Sequence, residues 1–322
     1  MLSSAVRSYT DVESYSNALP NNTIELHITA PGDFKAATTL IMLHNLSVQR
    51  FADNLPRVAH VGSPPGYAII SFRTERGPDL FWDGLEMLPT AIFWHNNGSC
   101  SFQRSSGFAS WGSMSLPLET IGGTLATLAG RDVASQREPI SLAPSPVAMA
   151  NLQRLHAACG VVAADAPELL ANPEAARGIE QALIGAMADC LEDAGLPGEN
   201  AGSRLHSRVM RRFRAIVEEH TDRALYMTEM SAAIGVSGRT LRSCCREHLG
   251  MGAKQYLILR RMHLARRALL ERASHAVTVT EAATRYGFWE LGRFSVRYKS
   301  LFGEMPSQTL RRDHGGATSA NS

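Results

Sequence analysis

Ile234-Gly235-Val236-Ser237-Gly238-Arg239-Thr240-Leu241 decides how this chain is read, together with a later stretch, Gly287-Phe288 through Phe294, Tyr298-Lys299, Phe302-Gly303 and Pro306. Each stretch reads as a short helix, a tight turn and a longer helix with one apolar and one basic face. A helix-turn-helix has this pattern, its second helix entering the major groove of DNA. Two such units in tandem suggest that one chain reads two successive grooves. In the first unit Gly235 supplies the turn and Ser237 can cap the helix that follows. On a wheel of 100° per residue, Leu241, Cys244, Cys245 and His248 fall on one side, and Arg239, Arg242, Ser243 and Arg246 on the other. The first set is a seam to hold the helix. The second, with Thr240 beside it, is a row of donors. An arginine can bridge guanine O6 and N7, so Arg239 and Arg242 are candidate base readers. Arg246, further along the helix, suits a phosphate.

Outward from these units the helical pattern continues. An amphipathic helix is expected from Leu205 to His220. Its apolar stripe is Leu205, Val209, Phe213, Ile216 and Val217, with Arg208, Arg211, Arg212 and Arg214 outside it. Thr228 is placed to cap the short helix from Glu229 to Ile234, and a long helix from Lys254 to Glu271 links the two units. The second unit begins with Thr278-Val279-Thr280-Glu281, a capping box. In its reading helix Leu291, Phe294, Tyr298, Leu301 and Phe302 point inward. Gly292, Arg293, Val296 and Lys299 face outward, and Arg297 lies to one side, where it suits a phosphate.

Charge singles out the same region. Ala201 to Arg312 holds 21 Lys and Arg against 9 Asp and Glu, while the rest of the chain holds 11 against 21, so the net +2 conceals a basic third on an acidic body. That asymmetry points to a polyanionic partner for the basic third. The five cysteines (Cys100, Cys159, Cys190, Cys244 and Cys245) are odd in number and lack metal-ligand spacing, which argues against a disulfide framework and fits a reducing cytoplasm. Neither a secretory signal nor a membrane-spanning run is expected.

The N-terminal part has a different texture. Short β-rich runs (Thr23–Thr29, Leu40–His44, Val58–Val61, Tyr67–Phe72, Ala91–Trp94 and Phe108–Met114) alternate with turn sequences at Pro31-Gly32, Pro64-Pro65-Gly66 and Asn96-Asn97-Gly98. Many short strands at near-regular spacing favour a small antiparallel barrel or jelly roll. Arg137 to Pro146 reads as a linker, and Pro146 to Ala194 as two or three helices that either pack on the barrel or form a homodimer seam. The fold class is multidomain α+β: a barrel over 1–136, a helical segment over 146–194 and an all-α double helix-turn-helix over 203–314. Trp82, Trp94 and Trp111 are candidates to line a small-molecule pocket, or else to fill the barrel core. His27, His44, His60 and His95 are isolated, and there is no nucleophile elbow or glycine-rich phosphate loop, so neither a metal, a cofactor nor an enzyme activity is expected.

The run from Ser237 to Leu249-Gly250-Met251 leads into Gln255-Tyr256-Leu257, Arg261, Ala265-Arg266 and Leu269-Leu270. It then continues through Val279, Ala283, Gly287-Phe288, Phe294-Ser295, Tyr298-Lys299, Phe302-Gly303, Pro306-Ser307 and Arg311. This pattern resembles the AraC/XylS family of bacterial transcription regulators. The resemblance implies reading helices that enter successive major grooves on one face of operator DNA. Carried over by position, base contacts fall to Arg239, Arg242 and Ser243 in the first unit, and to Leu291, Gly292, Ser295 and Val296 in the second. Ser243 and Val296 stand where the family often carries arginine, and Cys245 where it usually has an aromatic. The N-terminal region is similar, more weakly, to the cupin-like sensing domains of that family. The expected function is a ligand-responsive activator acting on double-stranded DNA and RNA polymerase. The alternative is a cupin-type metal enzyme with a helical accessory domain.

Overall fold

The alternation of apolar and polar side chains that marks strands in the first third of the chain continues, in a computed structural model, into two stacked antiparallel sheets. Residues 2–18, 23–62, 65–95, 100–119, 140–194, 201–220, 225–271 and 277–311 are described. In chain order the elements begin with β1 (Ser3–Tyr9), α1 (Val12–Ser16), β2 (Thr23–Ile28), β3 (Ala36–Met42), β4 (Ser47–Asp53), β5 (Arg57–Gly62) and β6 (Tyr67–Arg73). They continue with β7 (Leu80–Trp82), β8 (Leu85–Glu86), β9 (Ile92–His95), β10 (Cys100–Ser105), β11 (Ala109–Pro117) and β12 (Ile140–Leu142). Helices follow: α2 (Pro146–Asp165), α3 (Pro167–Ala171), α4 (Pro173–Asp193), α5 (Ala201–Glu219), α6 (Met227–Ile234), α7 (Gly238–Leu249), α8 (Ala253–Leu270), α9 (Val279–Arg285), α10 (Leu291–Phe302) and α11 (Pro306–Arg311). This is the expected α+β class, a two-sheet β region followed by a helical domain. The chain falls into two units, one built mainly from Asp33–Arg208, the other mainly from Val209–Arg246 and the residues from Met251 on.

One sheet has seven strands in the order β1-β3-β4-β11-β6-β9-β12, the other five in the order β2-β5-β10-β7-β8. Register explains the burial. β6 and β9 are buried at nearly every position, because one face of the larger sheet meets the smaller sheet and the other meets helices. On the helix side Ile41, Val48, Ile70, Phe72, Ile92, Trp94 and Met114 pack against Met149, Leu152 and Cys159 of α2 and Leu183, Met187 and Cys190 of α4. The helical segment packs on the β region.

The α2 contact depends on one glycine. A Cβ at Gly112 would lie 2.5 Å from the His156 ring, so β11 and α2 approach this closely only because position 112 has none. His156 donates from Nε2 to Gln49 O (3.1 Å) and accepts at Nδ1 from Arg50 Nη1 (3.0 Å). Burial first, and then the Arg50 charge, pull its pKa down to about 3, so the ring is neutral in that bonding role.

Two expectations about boundaries need correction. Ile140–Leu142, inside the stretch read as a linker, adds β12 to the edge of the larger sheet beside β9, in register Ile140 to Trp94. Three residues are too few to show alternation, so the pairing partner alone makes this a strand. The strands β1, β4, β7, β8 and β10 were not anticipated. β4 and β10 carry Gln49, Arg50, Gln103 and Arg104 amid their apolar residues, which masks the two-residue period. The turn expected at Asn96-Asn97-Gly98 lies outside the described residues, as does Pro64 of the turn at 64–66. No helix among the described residues is long and apolar enough to cross a membrane.

Candidate nucleic-acid interface

Helix α6 starts at Met227 with Tyr226 as a cap that makes no side-chain bond, so Thr228 lies inside the helix and does not cap it. Gly235 closes the helix in the left-handed conformation at φ 75°, where a side chain would be strained, and this sets the turn. Arg212 of α5 donates to Ile234 O (2.9 Å), satisfying a carbonyl at that helix end. Ser237 then caps α7, its Oγ accepting from Thr240 N (3.1 Å), while Thr240 Oγ1 lies 2.9 Å from the same oxygen. Thr240 is thereby tied into the cap.

Along α7 the two faces separate as the wheel requires. Leu241, Cys244, Cys245 and His248 are buried, whereas Arg239, Arg242, Ser243 and Arg246 are exposed. Cys245 packs its sulfur 4.0 Å from Met210 Sδ of α5, and burial followed by the neighbouring Cys244 pushes its thiol up to about 12. Such a thiol is a packing group with no nucleophilic role. Helix α5 departs from its expected stripe at two places. Leu205 is 41% exposed, and Arg214, expected outside, is only 8% exposed.

The second unit is held differently. Thr278 and Glu281 form the full capping box, with Glu281 N donating to Thr278 Oγ1 (3.1 Å) and Thr278 N to Glu281 Oε2 (2.7 Å). Gly287 takes φ 77° in the turn and Gly303 φ 76° at the end of α10. Between them runs a ladder of rings: Phe288–Phe294 at 5.1 Å, Phe294–Tyr298 at 5.6 Å and Tyr298–Phe302 at 4.6 Å. Tyr298 donates to Thr309 Oγ1 (2.9 Å), Thr309 to Glu304 (2.9 Å), and Glu304 pairs with Arg266 of α8 (3.1 Å). Gly292, Arg293, Val296, Arg297 and Lys299 are exposed. Arg293, however, is engaged by Glu290 at 3.0 Å, and Ser295 donates to Leu291 O (2.9 Å). Leu291, expected inward, is 36% exposed. It opens the helix, where no preceding turn covers it, next to Trp289 at 74% exposure. Trp289 was not singled out from the sequence, although a tryptophan directly before a reading helix was a signal to notice.

The three tryptophans that are pocket candidates fall in two clusters. Trp82 and Trp111 lie between the two sheets with Phe51, Leu80, Met87 and Phe93, whereas Trp94 belongs to the cluster under α2 and α4. Register accounts for this. Trp94 is opposite Ile70 on the helix side, and Trp111 is opposite Phe51 on the inner side.

Residues 230–312 match a family model described as a helix-turn-helix domain. The XylDLEGF operon transcriptional activator of Pseudomonas putida is 32% identical over 118 residues, 36% of this chain and 37% of that protein. The probable thc operon regulatory protein of Rhodococcus erythropolis is 37% identical over 95 residues, 30% of this chain and 29% of that protein. The chain thus matches about a third of the length of these two relatives. Among solved structures, the AraC-like transcriptional activator CuxR aligns over 83% of this chain and 96% of its own at 14% identity and a TM-score of 0.42. A probable AraC family regulator from Rhodopseudomonas palustris CGA009 aligns over 32% and 94% at 29% identity and a TM-score of 0.30. The C-terminal region thus matches a helix-turn-helix domain, the class that its two turn-and-helix stretches implied.

Proposed function

We propose that the whole chain is a sequence-specific transcription regulator, an activator that places α7 and α10 in successive major grooves of its operator and engages RNA polymerase from there in the cytoplasm. The observation that carries this reading is the exposed row Arg239, Arg242, Ser243 and Arg246 on a helix whose opposite face is buried. Arg239 and Arg242 read base edges, Arg246 and Ser237 hold the backbone, and Thr240 fixes the cap. In the second unit Gly292, Ser295 and Val296 face bases, while Arg293, Arg297 and Lys299 serve phosphates. The N-terminal unit takes a small-molecule effector that biases DNA binding or polymerase contact. The division at 1–136, 146–194 and 203–314 is the working frame for this.

The test is selection of bound sequences from a random duplex pool by the full chain and by its Arg239→Ala and Arg242→Ala variants. Each variant is expected to lose preference at one base pair. Uniformly weaker binding with unchanged preference would remove these residues from base recognition.

A further inference from the structure

The interior between the two sheets holds polar groups that the fold itself does not satisfy. Arg57 is 1% exposed, and its Nε donates to both oxygens of Asp53 (3.0 and 2.8 Å). Its Nη1 and Nη2 are buried and have no hydrogen-bond partner. The guanidinium carbon lies 4.9 Å from the centroid of the Trp111 ring, on which Phe51 stacks at 5.0 Å. Ser105 stands directly opposite Arg57 in the β5–β10 ladder, so both project to the same face, and its Oγ is buried and unpartnered. Gln103, one step along that face, lies opposite Trp82. Gln103 Nε2, Trp82 Nε1 and both ring nitrogens of His95 are likewise buried without partners, with Trp82 and His95 4.4 Å apart. Tyr15 Oη and Arg73 Nε are also buried without partners, Arg73 standing opposite Trp111 in the β11–β6 ladder; burial and the nearby Asp53 charge raise the Tyr15 pKa, so it is a neutral donor.

A guanidinium removed from water with its outer nitrogens unbonded is among the costlier things a fold can hold, and buried donors are nearly always satisfied. Asp53 balances the charge but engages Nε alone. The free edge is the Nη1/Nη2 pair, and two coplanar oxygens match it in a bidentate fork. Around it Phe51, Leu80, Met87, Phe93 and Trp111 supply an apolar wall suited to a flat or extended carbon skeleton. The second polar group begins at Gln103, two residues along β10 from Ser105, with Trp82 opposite it and His95 beside Trp82.

Building on the reading of the N-terminal unit as an effector-binding unit, we propose that it takes a small apolar carboxylate between the sheets, its two oxygens on Arg57 Nη1 and Nη2 and its body against Trp111 and Phe51.

The experiment is calorimetric titration of the full chain, in the absence of DNA, with acetate, hexanoate, octanoate and 3-phenylpropanoate, each against its primary amide. One of the longer acids is expected to bind at one per chain and at least tenfold more tightly than its amide. Arg57→Gln is expected to abolish that preference while leaving amide binding within about threefold. Because Arg57→Gln strands Asp53 and can fail to fold, the paired Asp53→Asn/Arg57→Gln variant, which removes both charges together, is measured beside it with circular dichroism as the check on folding. Amides that bind as well as acids would overturn the carboxylate class and leave an effector reading standing. No binding by any acid, with ordered water alone in the interior, would overturn the site. Neither result depends on DNA binding, so failure of the operator reading is seen separately.

Discussion

The two helix-turn-helix units differ in what they expose and in what holds them. In the first, α7 offers three exposed arginines but is seated on small, soft side chains: Leu241, Cys244 and Cys245 against Met210. In the second, α10 is held by four aromatic rings, a capping box and a partly buried Tyr298–Thr309–Glu304–Arg266 chain, yet it presents Gly292, Val296 and an arginine already paired with Glu290. Aromatic rings bury large areas and lock a helix in place, whereas arginine forks distinguish bases. A helix that must be held and a helix that must read make different demands on the same twelve residues, and each unit meets one of them more fully. Under the proposed function the first unit specifies the site and the second anchors it.

That division can be broken at several points. The largest effect is expected from Phe294→Ala, which should destabilise the helical unit by about 3–5 kcal/mol in urea unfolding, since it opens a hole in the middle of the ring ladder. Cys245→Ala should cost clearly less, and the reverse order would contradict the contrast in support. Next, Arg239→Ala or Arg242→Ala should weaken operator binding by about 1–3 kcal/mol in fluorescence anisotropy. Val296→Ala should change it by less than either, and a larger loss there would make α10 a reader. Thr278→Ala removes the capping box and is expected to lower stability by about 1 kcal/mol, seen as a shifted urea midpoint. The smallest effect belongs to Lys299→Ala. Binding should fall on all sequences alike, and the slope of log affinity against log salt should flatten by about 1.

Much of α7 could be read in advance because its two faces differ in every residue: the buried set Leu241, Cys244, Cys245 and His248 needed only a helical period. Leu291 could not, because a wheel assigns a side chain an angle and says nothing of whether a neighbour lies there. As the first residue of its helix it has no preceding turn beneath it. Arg214 fails in the opposite sense, its charge suggesting an outer position that packing overrides. The three tryptophans show the same limit in a sheet. Alternation gives each residue a side of its strand, but which side is the interior depends on pairing with β4 and β6, partners distant in sequence.

Local chemistry by itself determined the turns at Gly235 and Gly287, the caps at Ser237 and Thr278 and the basic face of α7, because each depends on residues within one or two helical turns. Only the tertiary structure decided that β12 exists, that α2 docks where Gly112 leaves room for His156, and that Arg57 is buried with its outer nitrogens unbonded. Those facts depend on which distant strands and helices meet. The sequence pattern names the candidates for such meetings, and the energy of the assembled core selects among them.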